Sequence, residues 1–362
     1  MLVVLALKTT CLNLRLIEMP RLIVDTEAIS HNYCAISRYI HPALCAAVVK
    51  CDAYGMGMIP VSKDLYKSGC RDFFVATFEE GRSLRQEISD ENCGIYVLNG
   101  IQKGWADNFS SNKIIPVLNT AEEVMMWDKK PMVMHYDTGL GRMGMAKEEL
   151  FQQASPDLII SHLACGYDEP HTHNILQNTR MNEAAHRFQS SKISLAASGA
   201  LFFDDFLEGY KYDMVRIGRI LLGSLGVNRE KRGLYAEMRN VLKLEAQILH
   251  IKTLETGESV GYNRRHINEK PTTIAVLDIG YGTGYRYNKG MAYVNSAFAK
   301  ILGDISMDLL AIDITDISDV EVGDYVELLG ENVTFDMLCE RTGLSPGAIS
   351  TAIGGQVLRC YK

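Results

Sequence analysis

Between Leu22 and about residue 225, short apolar runs alternate with longer stretches in which apolar positions recur every three or four residues. Runs of the first kind suit buried strands and the second suit helices laid over them. The pattern predicts strands at Leu22–Val24, Leu44–Val49, Phe73–Ala76, Gly94–Leu98, Ile115–Leu118, Val133–Tyr136, Leu158–His162, Ile193–Ala196 and Met214–Ile217. Helices are expected between them, for example at Thr26–Tyr39, Pro60–Ser68, Thr120–Trp127 and Asn174–Phe188. Such alternation describes βαβ units, and the number of strands suits a closed barrel better than an open sheet. After Tyr235 the texture changes to β-branched segments at Leu242–Ile251, Glu258–Tyr262, Thr273–Ile279, Leu309–Ile314 and Asp324–Leu328. Turn signals at Thr256-Gly257-Glu258 and Val322-Gly323-Asp324 separate them. The chain therefore divides into an N-terminal extension (1–18), an α/β barrel (19–235) and a mainly β domain (236–362).

Apolar residues at 47% and charged residues at 22% of 362 are the proportions of a globular enzyme with a large core. A net charge of −7 without a clustered basic surface argues against nucleic-acid and anionic-membrane partners. Nine cysteines without a CxxC pair suggest neither a disulfide framework nor a zinc site, and a reducing, cytoplasmic setting fits best. The apolar run Leu2–Leu7 is shorter than the roughly 7–15 residues of a signal-peptide core and has no preceding positive charge. An upstream start codon is the simpler account of the extension, and no run reaches the ~18 apolar residues of a membrane span.

The segment Ala46-Ala47-Val48-Val49-Lys50-Cys51-Asp52-Ala53-Tyr54-Gly55-Met56-Gly57 ends an apolar strand in a single lysine. Taken alone, such a lysine is ordinarily a solvated strand end. An amine emerging from an apolar wall is nevertheless poised to form a Schiff base, and a tyrosine bracketed by glycines can hold a phosphate. Other short motifs lead nowhere. Asp137-Thr138-Gly139 spells an aspartic-protease triplet, but no second triplet supplies the other carboxylate. Gly218–Ser224 has P-loop glycine spacing with Ser224 in the lysine's place, and Gly280-Tyr281-Gly282-Thr283-Gly284 is an incomplete dinucleotide fingerprint. His171 and His173 are expected to be solvated rather than metal-bound.

The Lys50 segment resembles the pyridoxal phosphate attachment motif of the alanine racemase family, and further matches follow in family order from Met19 to Tyr361. The resemblance implies a (β/α)8 TIM-type barrel of fold type III followed by a mainly β C-terminal domain. It also implies a homodimer with composite active sites, and interconversion of L- and D-alanine through an external aldimine of pyridoxal 5'-phosphate, supplying D-alanine for peptidoglycan. By the same resemblance, Lys50 carries the cofactor as a Schiff base and is one catalytic base, while Tyr54 contacts its phosphate. Arg142, in Asp137-Thr138-Gly139-Leu140-Gly141-Arg142, approaches the cofactor's phenolic oxygen and the substrate carboxylate, a task suited to its fixed fork of donors. His162, in Ser161-His162-Leu163-Ala164, supports the cofactor site, and Ser198, in Ala196-Ala197-Ser198-Gly199-Ala200, donates its hydroxyl to the phosphate. Arg216 faces the pyridine nitrogen, which it can hydrogen-bond but not protonate, and amides near Gly218 and Arg219 complete the phosphate cradle.

In the β domain the resemblance makes Tyr262 the second base, opposite Lys50 across the reacting carbon. Tyr281 marks the entrance and Met307, in Ser306-Met307-Asp308, belongs to a carboxylate-contacting loop; all three reach the site from the partner subunit. Three positions depart from the family pattern. His135 replaces a lysine that supports the arginine in many members, Thr283 replaces an acid in GYADG, and Asp304 replaces the arginine of GRxSMD. Arg286 is expected to pair with Asp304. Serine or broader-specificity racemisation is the alternative within this mechanism. A barrel-type decarboxylase would lack the DTG…Arg segment, and a single-barrel cofactor-binding protein would lack the β domain.

Overall fold

The computed structural model describes residues 20–167, 171–196, 198–204, 206–210, 212–224, 233–288, 290–353, 355 and 357–362. The expected extension 1–18, residues 168–170 of the histidine loop and Ala197 of the serine motif lie outside these. Nine strands precede the change of texture, yet only eight share a sheet. The odd one is β1 (Arg21–Val24), which joins the C-terminal sheet instead. The eight are β2 (Leu44–Val48), β3 (Asp72–Val75), β4 (Gly94–Val97), β5 (Ile115–Leu118), β6 (Val133–His135), β7 (Leu158–Ile160), β8 (Lys192–Ser194) and β9 (Met214–Ile217). β2 to β8 pair in parallel in chain order, with β9 beside β2. Backbone bonds from Asp213 N–H to Ile193 O (3.1 Å) and from Arg216 N–H to Ala196 O (3.2 Å) join β9 to β8 and close the barrel.

The period of two along each strand sorts the side chains. Ala46, Phe74, Val117, Val133, Leu158, Ile160 and Met214 fill the barrel interior. Cys45, Ala47, Phe73 and Ile159 face outward into the larger core beneath the helices. The expected helices occur at Thr26–Ile40, Met58–Lys67, Ala121–Met126 and Thr172–Arg187. The first starts where Asp25 accepts the Ala28 N–H at 2.8 Å, and the helix Phe78–Glu87 starts with a capping box between Thr77 and Glu80.

The C-terminal sheet is built on β10 (Leu242–Leu254), which pairs with β1 and later strands. After it come β11 (Ser259–Val260), β12 (His266–Ile267), β13 (Thr272–Leu277), β14 (Met291–Val294), β15 (Ala297–Leu302), β16 (Leu310–Asp313), β17 (Tyr325–Leu329) and β18 (Leu358–Tyr361). The order β13-β16-β15-β14-β17-β10-β1-β18, with β13 also paired to β10, curls this sheet back on itself. Register shifts in β10 near Leu244 and Ile248 accommodate the bend. Helices Phe335–Thr342 and Pro346–Ile353 cover part of it. The β14–β15 hairpin escapes a glycine-based search because its two-residue turn is Asn295-Ser296, at φ 46° and 65°, and asparagine tolerates that conformation. Among the described residues no helix is long and apolar enough to cross a membrane.

The Leu22–Val24 segment was expected in the barrel because a short apolar run specifies a buried strand but not its neighbours. β1 lies between β10, antiparallel, and β18, parallel, with Leu22 and Val24 fully buried. Leu22→Ala is therefore expected to cost about 3 kcal/mol of stability. Urea unfolding of the two proteins measures this, and equal midpoints would show that β1 is dispensable to the sheet.

Candidate active site

The carboxyl ends of the barrel strands open into a cavity of about 290 Å³, where barrel enzymes place their chemistry. Lys50, Tyr54, Arg142, His162, Ser198, Arg216, Gly218 and Arg219 all line it, so every barrel residue singled out by the sequence converges here. His135, Leu98 and Tyr167 complete much of the wall. Four of these residues are cationic, and no carboxylate is among the described lining residues.

Lys50 follows β2 after the single residue Val49, and the backbone after it takes an unusual course. Cys51, Asp52, Ala53 and Tyr54 have φ between 52° and 57°, making one turn of left-handed helix rather than the loop the glycines suggested. Each non-glycine residue in that region costs about 1–2 kcal/mol, so the turn persists only because its surroundings over-determine it. Glu80 accepts the Cys51 N–H at 2.7 Å with one oxygen and the Ala76 N–H at 2.7 Å with the other. Asp52 accepts the Met58 N–H at 2.6 Å and pairs with Arg359 at 2.5 Å. Gly57, at φ 97°, ends the turn, and a Cβ there would collide with the Tyr361 hydroxyl. The Thr77-x-x-Glu80 spacing is legible as a helix start; that Glu80 also serves the lysine turn is not.

Burial holds the Lys50 amine below its ordinary pKa, and the Arg142 and Arg216 charges add to this. An amine so placed is more readily neutral, as a nucleophile or proton acceptor must be. Arg216 is 5% exposed. Its guanidinium donates to Ser194 O at 2.9 Å, to Ser194 Oγ at 2.5 Å and to Ser161 O. Those bonds use three of its five N–H groups and leave two for a ligand. Burial pushes its pKa down to about 10, which leaves it charged at neutral pH.

Both cavity histidines are neutral. Burial, with the Arg216 charge, pushes His162 down to about 3 and His135 to about 4. The tautomer of His135 follows from Asn119, whose Nδ2 donates to Leu98 O (3.2 Å) and Val117 O (2.9 Å), so that its Oδ1 must accept the His135 Nδ1–H at 2.8 Å. His135 Nε2 is then a lone-pair acceptor amid cations. Burial raises Tyr54 to about 12, which makes it a hydrogen-bond donor rather than a base.

The same wall contains an anion cradle. The Gly218 and Ile220 N–H groups converge on Ser198 Oγ at 3.2 and 3.3 Å, and the Arg219 guanidinium lies over the Tyr167 ring at 4.3 Å. A Cβ on Gly218 would strike the Tyr54 hydroxyl. Hydroxyls, backbone amides and a nearby guanidinium are the donor set for a phosphate. With a half-buried amine in the same cavity, these residues fit pyridoxal phosphate.

The DTG segment has a structural use. Asp137 Oδ1 accepts the N–H groups of Gly139, Leu140 and Gly141 at 2.9, 2.9 and 3.1 Å, which shapes the loop presenting Arg142. His173 Nε2 donates to Gly139 O at 2.8 Å, and His171 Nδ1 accepts the His173 N–H at 3.1 Å. These histidines thus brace the Arg142 loop, and His173 is half-buried rather than solvated. No group of three or more histidine, cysteine or acidic residues able to hold a metal occurs among the described residues.

Tyr262, Tyr281 and Met307 lie outside the cavity wall of this chain and are 66%, 43% and 62% exposed. Their loops nevertheless form one surface. Tyr281 N–H donates to Ser306 O at 3.0 Å and Gly282 N–H to Met307 O at 2.7 Å, while Gly261 packs on the Asp304 backbone. Thr283, in place of an acid, locks its own turn by bonding Gly280 O at 2.8 Å. Asp304 pairs with Arg265 at 3.3 Å, not with the expected Arg286. Arg265 lies in the segment following Tyr262, which the pairing with β12 folds back toward Gly303 and Asp304, a proximity invisible in linear spacing.

Two family models match the chain. Residues 24–225 match the family model for the alanine racemase N-terminal domain, and residues 241–361 that for the alanine racemase C-terminal domain. The alanine racemase of Rickettsia bellii is 34% identical over 347 residues, covering 89% of this chain and 82% of the relative. That of Rhizobium meliloti is 32% identical over 373 residues, covering 94% and 96%. The crystal structure of alanine racemase from Bartonella henselae with covalently bound pyridoxal phosphate superimposes with a TM-score of 0.87 at 32% identity, covering 95% of this chain and 99% of that one.

The neutral imidazoles have a consequence for stability. Between about pH 6.5 and about pH 4 the unfolded chain binds a proton at His135 that the folded protein refuses. Stability is therefore fully present above that window and falls with pH through it, by about 1.4 kcal/mol per pH unit at most. Unfolding in urea near pH 5 and near pH 7 is expected to show a smaller acid-induced loss for His135→Asn than for the parent. Equal losses would place the proton uptake elsewhere.

Proposed function

The chain belongs to the alanine racemase family, and from that premise we propose that it interconverts L- and D-alanine with pyridoxal phosphate held on Lys50. The observation that carries this reading is the cavity with four cations, no described carboxylate and one amine of lowered pKa. Such a cavity suits a ligand that brings a phosphate and a substrate that brings a carboxylate. Bound there, pyridoxal phosphate supplies an electron-withdrawing ring that acidifies the α-proton of an amino acid.

The residues then divide the work. Ser198, Tyr54 and the amides at Gly218 and Ile220 would hold the phosphate, with Arg219 in the same wall. Arg216 would face the ring nitrogen as a donor that cannot protonate it, and a ring so held would be a weaker electron sink with fewer side reactions. Arg142 grips the substrate carboxylate, and His135 offers a neutral acceptor where many relatives have a lysine. The Lys50 amine moves a proton at one face of Cα. The opposite face requires a second base, and Tyr262 of a second copy of the chain is the group we assign.

That assignment calls for a head-to-tail homodimer. Tyr262, Tyr281 and Met307 form an exposed, partly apolar surface with no role in their own barrel, and a partner's cavity mouth is a suitable cover for it. A cytoplasmic enzyme supplying D-alanine for peptidoglycan is the setting that suits an acidic chain whose described cysteines are free thiols.

The test is L-alanine in deuterated water with cofactor-loaded protein, following optical rotation, deuterium at Cα and carbon dioxide together. Rotation is expected to vanish as deuterium enters, with no carbon dioxide. Lys50→Ala is expected to abolish both cofactor attachment and turnover. Tyr262→Phe should keep attachment and lose about 10²–10⁴-fold in kcat. Turnover of serine but not alanine would change the substrate, and carbon dioxide release would overturn racemisation.

A further inference from the structure

The C-terminal strand β18 presents Arg359 and Tyr361 from one face, as the period of two requires. Their register partners across β1 are Leu22 and Val24, both fully buried. Arg359 thus projects from the face of the strand that an apolar residue would ordinarily occupy, with 21% of its side chain exposed. A cation there is tolerated only with a partner. That partner is Asp52, 307 residues away in sequence, at 2.5 Å.

Asp52 is the second residue of the left-handed turn that begins immediately after Lys50. One carboxylate oxygen takes the Arg359 guanidinium, the other accepts the Met58 N–H at 2.6 Å, and its carbonyl accepts the Gly57 N–H at 2.8 Å. A single side chain therefore ties the start of the turn to its exit, and Arg359 fixes where that side chain points. Tyr361 stands over Gly57 at the exit, so two residues of one strand close on the same turn.

We propose that Arg359 is a positioning residue for Lys50: through Asp52 it holds the left-handed turn that sets where the amine enters the cavity. The inference rests on the assignment of Lys50 as the attachment residue, and it couples the last strand of the C-terminal sheet to the chemistry of the barrel. It differs from a simple surface ion pair, whose loss would leave the turn unchanged. The distinction lies in which amides loosen.

The experiment compares the full-length parent with Arg359→Met, Arg359→Lys, Asp52→Asn and the double variant. The first readout is hydrogen exchange of the Ala53, Gly55, Gly57 and Met58 amides, referred to those of β17. The second is the rate at which added pyridoxal phosphate attaches to the protein, followed by its visible absorbance. Arg359→Met is expected to raise exchange in the turn at least tenfold while β17 is unchanged, and to slow attachment about tenfold. Arg359→Lys should recover part of both, and the double variant should be no worse than the poorer single. Unchanged exchange in the turn overturns the proposal, as does a rise spread equally over β17, which marks a general loss of fold. Asp52→Asn supplies the same comparison if Arg359→Met does not fold. Failure of the parent to take up pyridoxal phosphate would sink the functional reading, and the exchange measurement would still decide whether Arg359 holds the turn.

Discussion

Unbalanced positive charge is the constraint on which the rest of this molecule depends. Lys50, Arg142, Arg216 and Arg219 share one small cavity, and no described carboxylate lines it. Burial disfavours the charged form of each group and the neighbouring cations add to that, so each group that can discharge is pushed to do so. The amine falls below its ordinary pKa and the two imidazoles stay neutral, whereas the Arg216 guanidinium retains its proton. An anionic ligand bound there would relieve the remaining repulsion. Occupancy and stability are therefore linked, because whatever binds the folded site and not the unfolded chain stabilises the fold.

The acids missing from the cavity wall are found behind it. Glu80 and Asp52 accept backbone N–H groups at either end of the turn that follows Lys50, and Asp137 accepts three in the loop that precedes Arg142. Negative charge is spent on shaping the backbone that carries the cations rather than on neutralising them. An acid inside the cavity would pair with Lys50 or Arg142 and compete with a ligand for it. Outside, it lends rigidity without that competition, and strained φ values become sustainable.

The C-terminal sheet contributes in two directions. Its ends, β1 and β18, reach back to the barrel, where β1 leads into the first helix and β18 meets the lysine turn. Its loops at Tyr262, Tyr281 and Met307 face away from the chain's own cavity and lie exposed together. These residues take no part in the chain's own cavity wall, so the proposed second base has to come from a second copy.

Much of the barrel was legible because element type is a local property. The period of an apolar run, a lysine ending it, and arginines and glycines at strand ends can all be read within ten residues, and those positions converge as expected. Where the local pattern was silent, the outcome depended on partners distant in sequence. β1 resembles a barrel strand but pairs with β10 and β18; Asp304 finds Arg265 rather than Arg286; four ordinary residues after Lys50 run left-handed because Glu80 and Asp52 hold them so. The amino-acid sequence alone picked out the residues that meet in the barrel cavity, since side-chain type and strand ends are encoded where they stand. Only the tertiary structure decided strand neighbours, backbone strain and the protonation of the site, because each is a sum of interactions between groups that the chain brings together only by folding.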